Sequence, residues 1–517
     1  MYLGDYKMKR FLAIFLSVLC LINLSSCGEK NYSDKTVYFT TSDIVGTFDP
    51  TLANTPVEIS IATNCFEGLM TRDKSGKIVL GAAESYDVDE SGMVYTFKLR
   101  EGAVWSDGET ELVADDFVFG FQRALYQKTK APYAPLLFSI KNAKKVNSGA
   151  LDMSALGVEA TGKYSLKITL VNADDGFLDA LTKPVSSPCN RAFFEGTSGR
   201  YGLKPKYIIS NGAFCINYLN SDSKTTIISN NEDYTGEFPA TPKSVQISFG
   251  KTEDEVYTAL EDAQADLGNI DCARAKSLEE KEYSSQLFYN TNYCLYMADD
   301  LSRVGADYKK ALALDIDYGN VSANLTDYYD VPSGILPSLM YLSGKDYRKQ
   351  TGEVSYISYD LDKAKTTLSD YTKASEDLND RVLYYPSGED KLKLVSNIIV
   401  QGWQKDLNVY IDSGEKDESE IEKGIASGEI KIAIIKVKSE ANDALDCYNY
   451  LADLGITSRV VSADASTLFA KEQSLVSSGK IYPLAAIPTA VSVSADIKDV
   501  VFLTGGKVID FRFTKKD

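Results

Sequence analysis

Histidine is absent from the chain, and its absence decides which catalytic chemistries the sequence could carry. Without imidazole there is no Ser-His-Asp or Cys-His nucleophile, no HExxH zinc site and no histidine pH switch. Phosphate-loop, GxGxxG and GxSxG motifs are also missing. Carboxylates are frequent, and an acid-only glycosidase stays open because only geometry identifies two carboxylates at catalytic separation.

The cysteines do not indicate a metal or redox centre. Six of them follow Cys27, and no two form a CxxC motif. We expect most of them to behave as small buried apolar residues. We therefore predict neither a metal site nor a cofactor.

The composition is that of an acidic globular protein. The 517 residues include 55 Lys and Arg against 73 Asp and Glu, a formal net charge of -18. This balance argues against nucleic-acid binding and against electrostatic docking on anionic lipid. With 44% hydrophobic residues the chain can build two large lobes or about three domains.

The amino-terminal segment is typical of an export signal. Basic residues at 7–10 precede an apolar run at 11–24, which is too short for a comfortable membrane span. Residues 24–27 (LSSC) resemble the lipobox of bacterial lipoproteins, in which the cysteine, here Cys27, is lipidated after cleavage. The alternative is an ordinary signal peptide cut before an unmodified Cys27. Residues 28–35 are polar and suit a flexible tether.

Strand and helix patterns alternate along the remaining chain. Residues 37–41, 94–99 and 164–170 alternate apolar and polar positions, as half-buried strands do. Residues 432–437 (IAIIKV) are almost continuously apolar, as in a buried parallel strand. Residues 110–127 have helical spacing of large apolar side chains. The mixture predicts an α/β protein with both parallel and antiparallel pairing.

Five motifs, in this order, resemble the oligopeptide-binding lipoproteins of ABC importers, which belong to the peptide/nickel type of extracellular solute-binding proteins. They are residues 47–50 (TFDP), 66–69 (FEGL), 95–109 (YTFKLREGAVWSDGE), 210–214 (SNGAF) and 308–321 (YKKALALDIDYGNV). The WSDG block is the most specific. Its residue types indicate a structural role, because Asp-Gly supplies a turn and Trp105 an apolar anchor.

The resemblance implies a periplasmic-binding-protein-like clamp of two lobes with an extra domain, mixed sheets and a hinge. The implied division is signal peptide 1–26, lipid-anchored tether 27–35, domain I at 36–56, 195–296 and 492–517, domain II at 57–194, and domain III at 297–491.

The resemblance also implies a function without catalysis. The protein is expected to capture peptides by hinge closure and to deliver them to the permease subunits of an ABC transporter. We expect a monomer, held at the extracytoplasmic face of a bacterial membrane by lipid on Cys27. Two alternatives stay open. The same fold could bind a nickel chelate, haem or an oligosaccharide, or the chain could be a surface interaction lipoprotein without a transport role.

Asp443 is the predicted partner of a peptide's free ammonium group. In the family this Asp follows a buried strand and precedes a leucine at a fixed spacing. Asp443 follows the predicted strand 432–437 and precedes Leu451 at the same spacing, and Asp446 is the second choice. A buried ammonium needs a carboxylate because an unpaired buried charge is costly. The alternative is that Asp443 only caps a helix.

The remaining predicted ligand contacts are Asn54, Thr55, Pro56 and Val57, after the TFDP motif, and Tyr133, Asn269 and Tyr293 in the cleft lining. These positions follow from the resemblance alone. The chain departs from the family pattern around Asp443, where the Gly-Trp pair is replaced by Lys436-Val437. We therefore expect either a remodelled ligand pocket in that region or a protein that no longer binds a free peptide.

Overall fold

The computed structural model describes residues 36–301, 306–325, 329–342, 345–369, 381–388, 390–439, 443–503 and 506–517. The predicted signal segment, the LSSC motif with Cys27 and the tether lie outside these residues. Among the helices that are described, none is long and apolar enough to cross a membrane.

The strands are short except for two that run through both halves of the molecule. In chain order they are β1 (Thr36–Thr40), β2 (Met70–Arg72), β3 (Ile78–Leu80), β4 (Ala83–Val88), β5 (Val94–Leu99), β6 (Val158–Gly162), β7 (Ser165–Thr169), β8 (Phe214–Asn220), β9 (Thr225–Asn230), β10 (Ser244–Ser248), β11 (Leu267–Ile270), β12 (Tyr283–Met297), β13 (Tyr341–Leu342), β14 (Lys345–Asp346), β15 (Val382–Pro386), β16 (Asp412–Lys416), β17 (Ile432–Lys438), β18 (Ile481–Ser494), β19 (Ile497–Lys498), β20 (Val501–Leu503), β21 (Val508–Asp510) and β22 (Lys515–Lys516).

The helices pack on these strands. They are α1 (Pro56–Cys65), α2 (Ala114–Leu125), α3 (Ala143–Asn147), α4 (Phe177–Ala180), α5 (Arg191–Gly196), α6 (Glu253–Glu261), α7 (Cys272–Glu279), α8 (Ala306–Leu314), α9 (Tyr318–Asn324), α10 (Tyr347–Thr351), α11 (Leu361–Ser369), α12 (Asp390–Leu407), α13 (Glu418–Ser427), α14 (Ala444–Asp453) and α15 (Ala465–Ser477). Strands β1, β5 and β7 and helix α2 confirm the patterns predicted at those positions.

Ten strands form one mixed sheet in the order β16-β15-β17-β12-β18-β11-β1-β10-β9-β8. β1 is parallel to β10 and β11, and β11 is antiparallel to β18. β12 is antiparallel to both β18 and β17, and β17 is parallel to β15. A separate antiparallel sheet has the order β4-β5-β7-β6. The predicted mixed α/β architecture is confirmed.

Strands β12 and β18 connect two lobes. The first lobe contains β1 and β8–β11 together with the four-stranded sheet, and the second contains β15–β17. β18 carries Pro483 and Pro488, which cannot donate to a ladder and therefore favour bulges. The pairing of β12 with β18 shifts register at two places. Asn290 is an extra residue of β12 beside the Tyr289–Pro488 pair, and Leu484 is an extra residue of β18 beside the Cys294–Pro483 pair. The irregularity beside Pro488 lies where the lobes meet, between the ends of β11 and β17, whereas Cys294 already pairs with Ile435 of β17 inside the second lobe.

Each lobe has its own apolar core. In the first lobe one cluster of buried side chains joins the large sheet to α2 and the four-stranded sheet, including Phe39 and Phe117. In the second lobe both faces of β17 are buried, with Ile434 in one cluster and Ile435 in another. Because β17 has no solvent face, its sequence is apolar at nearly every position.

Three of the motifs contact one another in the first lobe. In the FEGL and SNGAF motifs, Asn211 accepts from the backbone N–H of Glu67 (3.2 Å) and donates to its carbonyl oxygen (2.8 Å). The WSDG motif joins them, because Ser106 N–H donates to Ser210 O (2.8 Å) and Ser210 N–H to Ser106 Oγ (2.9 Å). These hydrogen bonds give the three motifs a structural role within the first lobe.

Trp105 is the apolar anchor that the sequence predicts. Its side chain is fully buried, and its indole N–H donates to Asp116 Oδ2 at 3.1 Å. Gly108 N–H closes the predicted turn on the carbonyl of Trp105 (2.9 Å). Burial raises the pKa of the Asp116 carboxyl to about 6.

Asp315, just after α8, carries a buried carboxyl group. It is 6% exposed, and neither carboxylate oxygen has a hydrogen-bond partner among the described residues. Burial, and then the charge of Asp406, raise its pKa to about 6, although Lys365 and Lys405 oppose this shift. The folded chain therefore binds this proton more tightly than the unfolded chain, so stability decreases as pH rises from about 4 to about 6.

Replacing this residue should stabilise the protein. Asp315→Asn cannot ionise, so we expect it to raise the free energy of unfolding above pH 7 by on the order of 2 kcal/mol. Below about pH 3 the wild-type carboxyl is protonated in both states, and the difference should vanish. Thermal unfolding at both pH values measures this, with the exposed Asp222→Asn as control. An equal effect at both pH values would contradict the prediction.

Candidate functional site

The carboxyl ends of the strands in the two lobes come together where β12 and β18 pass between them. β11 ends at Ile270, whose partner Ala490 also pairs with Leu287 of β12. β17 ends at Lys438, opposite Thr291 of β12. Leu287 and Thr291 are four residues apart, so roughly 13 Å of strand separates the two edges. A cleft between these edges is therefore the place where an α/β fold of this kind would bind a ligand.

An ion pair links the lobes on one side of this cleft. Lys345 Nζ of β14 lies 3.6 Å from Asp175 Oδ2, in the segment between β7 and α4. Both side chains are largely exposed, so the pair contributes little to stability. The contact shows that the β13–β14 hairpin reaches across to the first lobe.

Glu58 organises the cleft-side loop after β1. Its carboxylate is 6% exposed and accepts four backbone N–H groups. Oε1 binds the N–H of Gly46 (2.7 Å) and Thr47 (3.1 Å), and Oε2 binds those of Asn54 (2.9 Å) and Thr55 (3.1 Å). Two arms of one loop, 44–48 and 54–57, are thereby held side by side. The signal for Glu58 was the Thr55-x-x-Glu58 capping box, which the sequence predictions did not include.

The predicted contacts after the TFDP motif have different surroundings. Asn54 is exposed, and Thr55 caps α1, whose first residue is Pro56. Thr55 Oγ1 also donates to Ile44 O at 2.9 Å. Val57 is 1% exposed in the first-lobe core, so its side chain is not available to a ligand. The roles of these residues stay predictions.

The three predicted lining residues do not lie together. Asn269 is next to the end of β11, at the cleft edge, and its buried Oδ1 has no hydrogen-bond partner within the described chain. Tyr293 lies on β12 in the second-lobe core with 2% exposure. Tyr133 is half-buried before the short helix Ala134–Leu137, packed on the first-lobe core. Of the three, Asn269 has the position nearest to the facing strand ends.

Asp443 lies close after the end of β17 and begins α14. Its Oδ1 accepts the N–H of Asp446 (2.8 Å), and its own N–H donates to Ser439 Oγ (3.2 Å). Its backbone also bridges to Tyr341 of β13. Burial, and then the charge of Asp446, raise the pKa of the Asp443 carboxyl. The helix-capping role is thus present, and it occupies one carboxylate oxygen.

No cation pairs with Asp443 among the described residues. The nearby Lys436 is engaged elsewhere: its Nζ is 3.6 Å from Glu418 and 5.7 Å from the Tyr293 ring centroid. Asp446, the second choice, is more exposed and accepts Ser439 Oγ at 2.8 Å. A half-buried carboxylate without a counter-ion favours a cationic ligand group. Within the described ranges, no group of three or more Cys, Asp or Glu could hold a metal ion.

Comparison with known proteins identifies the same architecture. The model of the family described as "Bacterial extracellular solute-binding proteins, family 5 Middle" matches residues 77–455. A solved structure of Listeria monocytogenes OppA bound to peptide covers 94% of this chain and 99% of its own, with a TM-score of 0.67 and 20% identity. This similarity shows a shared fold.

Curated relatives match over shorter segments. The dipeptide-binding protein of Lactococcus lactis is 30% identical over 210 residues, which is 40% of this chain and 38% of the relative. The "Probable deoxycholate-binding periplasmic protein YgiS" of Escherichia coli is 34% identical over 183 residues, or 35% of this chain and 34% of the relative. The alignments thus span about a third of the length of these relatives.

Proposed function

Because this chain belongs to family 5 of the bacterial extracellular solute-binding proteins, we propose that it binds peptides between its lobes and delivers them to an ABC importer. Members of this family bind solutes outside the cytoplasm for transport. Relatives and structural neighbours named for peptide binding support a peptide as the solute.

The main support for this proposal is the position and the environment of the Asp443 carboxylate. It lies where the strand ends of both lobes meet, it is half-buried, and it has no basic partner in the described chain. The ammonium of a free peptide supplies the missing charge, and one carboxylate oxygen remains outside the cap hydrogen bond. An extended peptide in such a cleft can bond through its own backbone, which permits varied side chains.

Hinge closure follows from the connection through β12 and β18. Ligand contacts that form only when the lobes approach would stabilise the closed state. The bulge beside Pro488 leaves irregular pairing between the ends of β11 and β17, where bending is easiest. The proposal retains the three-part domain I, the lipid anchor at Cys27, a monomeric state and the absence of catalysis.

A direct test is native mass spectrometry of protein purified from residue 28 onward. We expect co-purified peptides and thermal stabilisation by a pool of free peptides, because a ligand of the native state raises stability by mass action. N-acetylated peptides should stabilise less. Deoxycholate is tested separately in the same thermal-shift measurement, since one relative is named for binding it. If no peptide co-purifies and a diverse pool gives no shift, the peptide proposal fails.

A further inference from the structure

An open apolar pocket lies at the carboxyl edge of the first lobe. Its volume is about 460 Å³, within the range of small-ligand sites. The walls come from the loop after β1, the β8–β9 turn, the segment after β10 and the residues near Gly202. The apolar lining is formed by Ile44, Val45, Phe48, Leu203, Leu219 and Phe249. Ile44 is 66% exposed and Leu203 53%, so this apolar surface is uncovered in the described chain.

The pocket walls are joined by backbone hydrogen bonds. Phe48 N–H donates to Gly202 O (2.8 Å), and Gly250 N–H donates to Asp43 O (2.6 Å). Phe249 N–H reaches Lys224 O (3.0 Å), which connects the β8–β9 turn. Gly202 has φ +75°, and a Cβ there would be 2.6 Å from Asp49 N, so glycine is required for this approach. The site is therefore preformed.

The pocket adjoins the segment predicted to contact the peptide backbone. The N–H groups of Gly46, in the pocket wall, and of Asn54, in that segment, bind the same Glu58 carboxylate. Thr55 Oγ1 donates directly to Ile44 O at 2.9 Å. The pocket wall and the predicted contact segment are thus two arms of one rigid loop. A peptide lying along residues 54–57 would have a side chain within reach of the pocket.

The chemistry of the walls selects the class of side chain. Lys224 and Lys251 line the pocket, while Glu253, Asp254 and Glu255 begin α6 beside it. Charges of both signs therefore surround an apolar interior, and neither sign of ligand charge is favoured. The volume exceeds that of one side chain, which leaves space for water.

The geometry points to this pocket as the subsite for a large apolar side chain of the bound peptide. This inference rests on the proposed peptide-binding function and adds a residue preference to it. The preference for an apolar side chain is set in the first lobe, whereas Asp443, the proposed partner of the peptide ammonium, lies in the second lobe.

The test uses the same protein and a random pool of short peptides with free termini, with the bound fraction sequenced by mass spectrometry. We expect wild type to enrich Leu, Phe, Tyr and Trp at one position. Ser221→Trp, which fills the pocket, and Leu203→Asn, which makes it polar, should reduce that enrichment about tenfold. Val461→Asn, at an 86% exposed position in the second lobe, is the matched control and should leave the enrichment unchanged.

The outcomes separate this inference from the function on which it rests. A wild type that binds no peptide would overturn the proposed function and this subsite with it. Peptide binding without an apolar preference, or a preference that survives both substitutions, overturns the subsite alone. If the two pocket variants select the same peptides as wild type but no longer support peptide uptake in cells, the pocket would be a contact for the permease. That result would also overturn the subsite. Melting temperatures of both variants verify that they fold.

Discussion

Replacing Asp443 by Asn is expected to weaken the binding of peptides with a free amino terminus by about a hundredfold, because a buried ammonium loses its counter-charge. N-acetylated peptides carry no ammonium, and their affinity should change little. Asn is as good a helix cap as Asp, so α14 should still begin at Ala444. Calorimetric titration with matched free and acetylated peptides measures the difference. Equal losses for both peptides would remove Asp443 from this role.

Asp446→Asn is the matched control, since this carboxylate is nearby but more exposed and bonded to Ser439. We expect it to change peptide affinity by less than about threefold.

Lowering the pH should weaken free-peptide binding to the wild-type protein in the same way as Asp443→Asn does. Burial raises the pKa of Asp443, so the carboxylate becomes protonated, and free-peptide binding declines, at a higher pH than for an ordinary Asp. In Asp443→Asn this part of the pH dependence should be absent.

Glu472→Ala is expected to destabilise the second lobe by about 3–5 kcal/mol, because it leaves a buried guanidinium unpaired. Glu472 is fully buried on α15, and Arg348 is 9% exposed. Arg348 Nη1 donates to Oε2 (2.9 Å) and Nη2 to Oε1 (2.6 Å). Leu336 N–H (2.9 Å) and Tyr347 OH (3.1 Å) also donate to this carboxylate. One carboxylate thus holds the segment before β13 in place.

Urea unfolding followed by tryptophan fluorescence measures the loss, since Trp403 is fully buried in the second lobe. The double variant Glu472→Leu with Arg348→Met should recover part of it, because replacing both charges leaves neither unpaired. Lys349→Ala breaks an exposed pair with Asp346 on the same helix turn and should cost less than about 1 kcal/mol. A Glu472→Ala loss no larger than this control would contradict the prediction.

The same ion pair supports the cleft. Arg348 Nη2 donates to Leu336 O (2.5 Å), and Leu339 N–H, in the same segment, donates to Tyr289 O of β12 (3.2 Å). Asp330 exchanges backbone hydrogen bonds with Ala486 of β18. The segment from Asp330 to Leu339 is therefore attached to both connecting strands. We expect Glu472→Ala to weaken ligand binding as well as stability.

Local sequence patterns were sufficient for much of the fold. The alternating runs became β1, β5 and β7, and the helical spacing of Phe117 and Phe121 became α2. These succeed because strand and helix periodicity depend on neighbours in sequence and on burial of one face. The order of the motifs added the family, and their contacts in the structure explain why they recur together: the FEGL, WSDG and SNGAF segments bond to one another.

The candidate site was less accessible to such reasoning. The sequence placed Asp443 after a buried strand, but whether any cation pairs with it depends on side chains distant along the chain. Likewise Val57 and Tyr293 occupy expected segments, while the packing buries their side chains in the two cores. Contacts between secondary-structure elements decide which side chains are buried and which charges are paired. The spacing of residues along the sequence does not reveal these contacts.

The sequence by itself thus determined the family, the mixed α/β elements, the predicted export signal and the exclusion of histidine chemistry. Only the tertiary structure decided that the ends of β11 and β17 face each other across a few residues of β12, and that Glu58 joins two arms of one loop beside an open pocket. The reason is physical. Secondary structure and turns follow from interactions between near neighbours, whereas a cleft and a pocket are spaces enclosed by segments far apart in the chain.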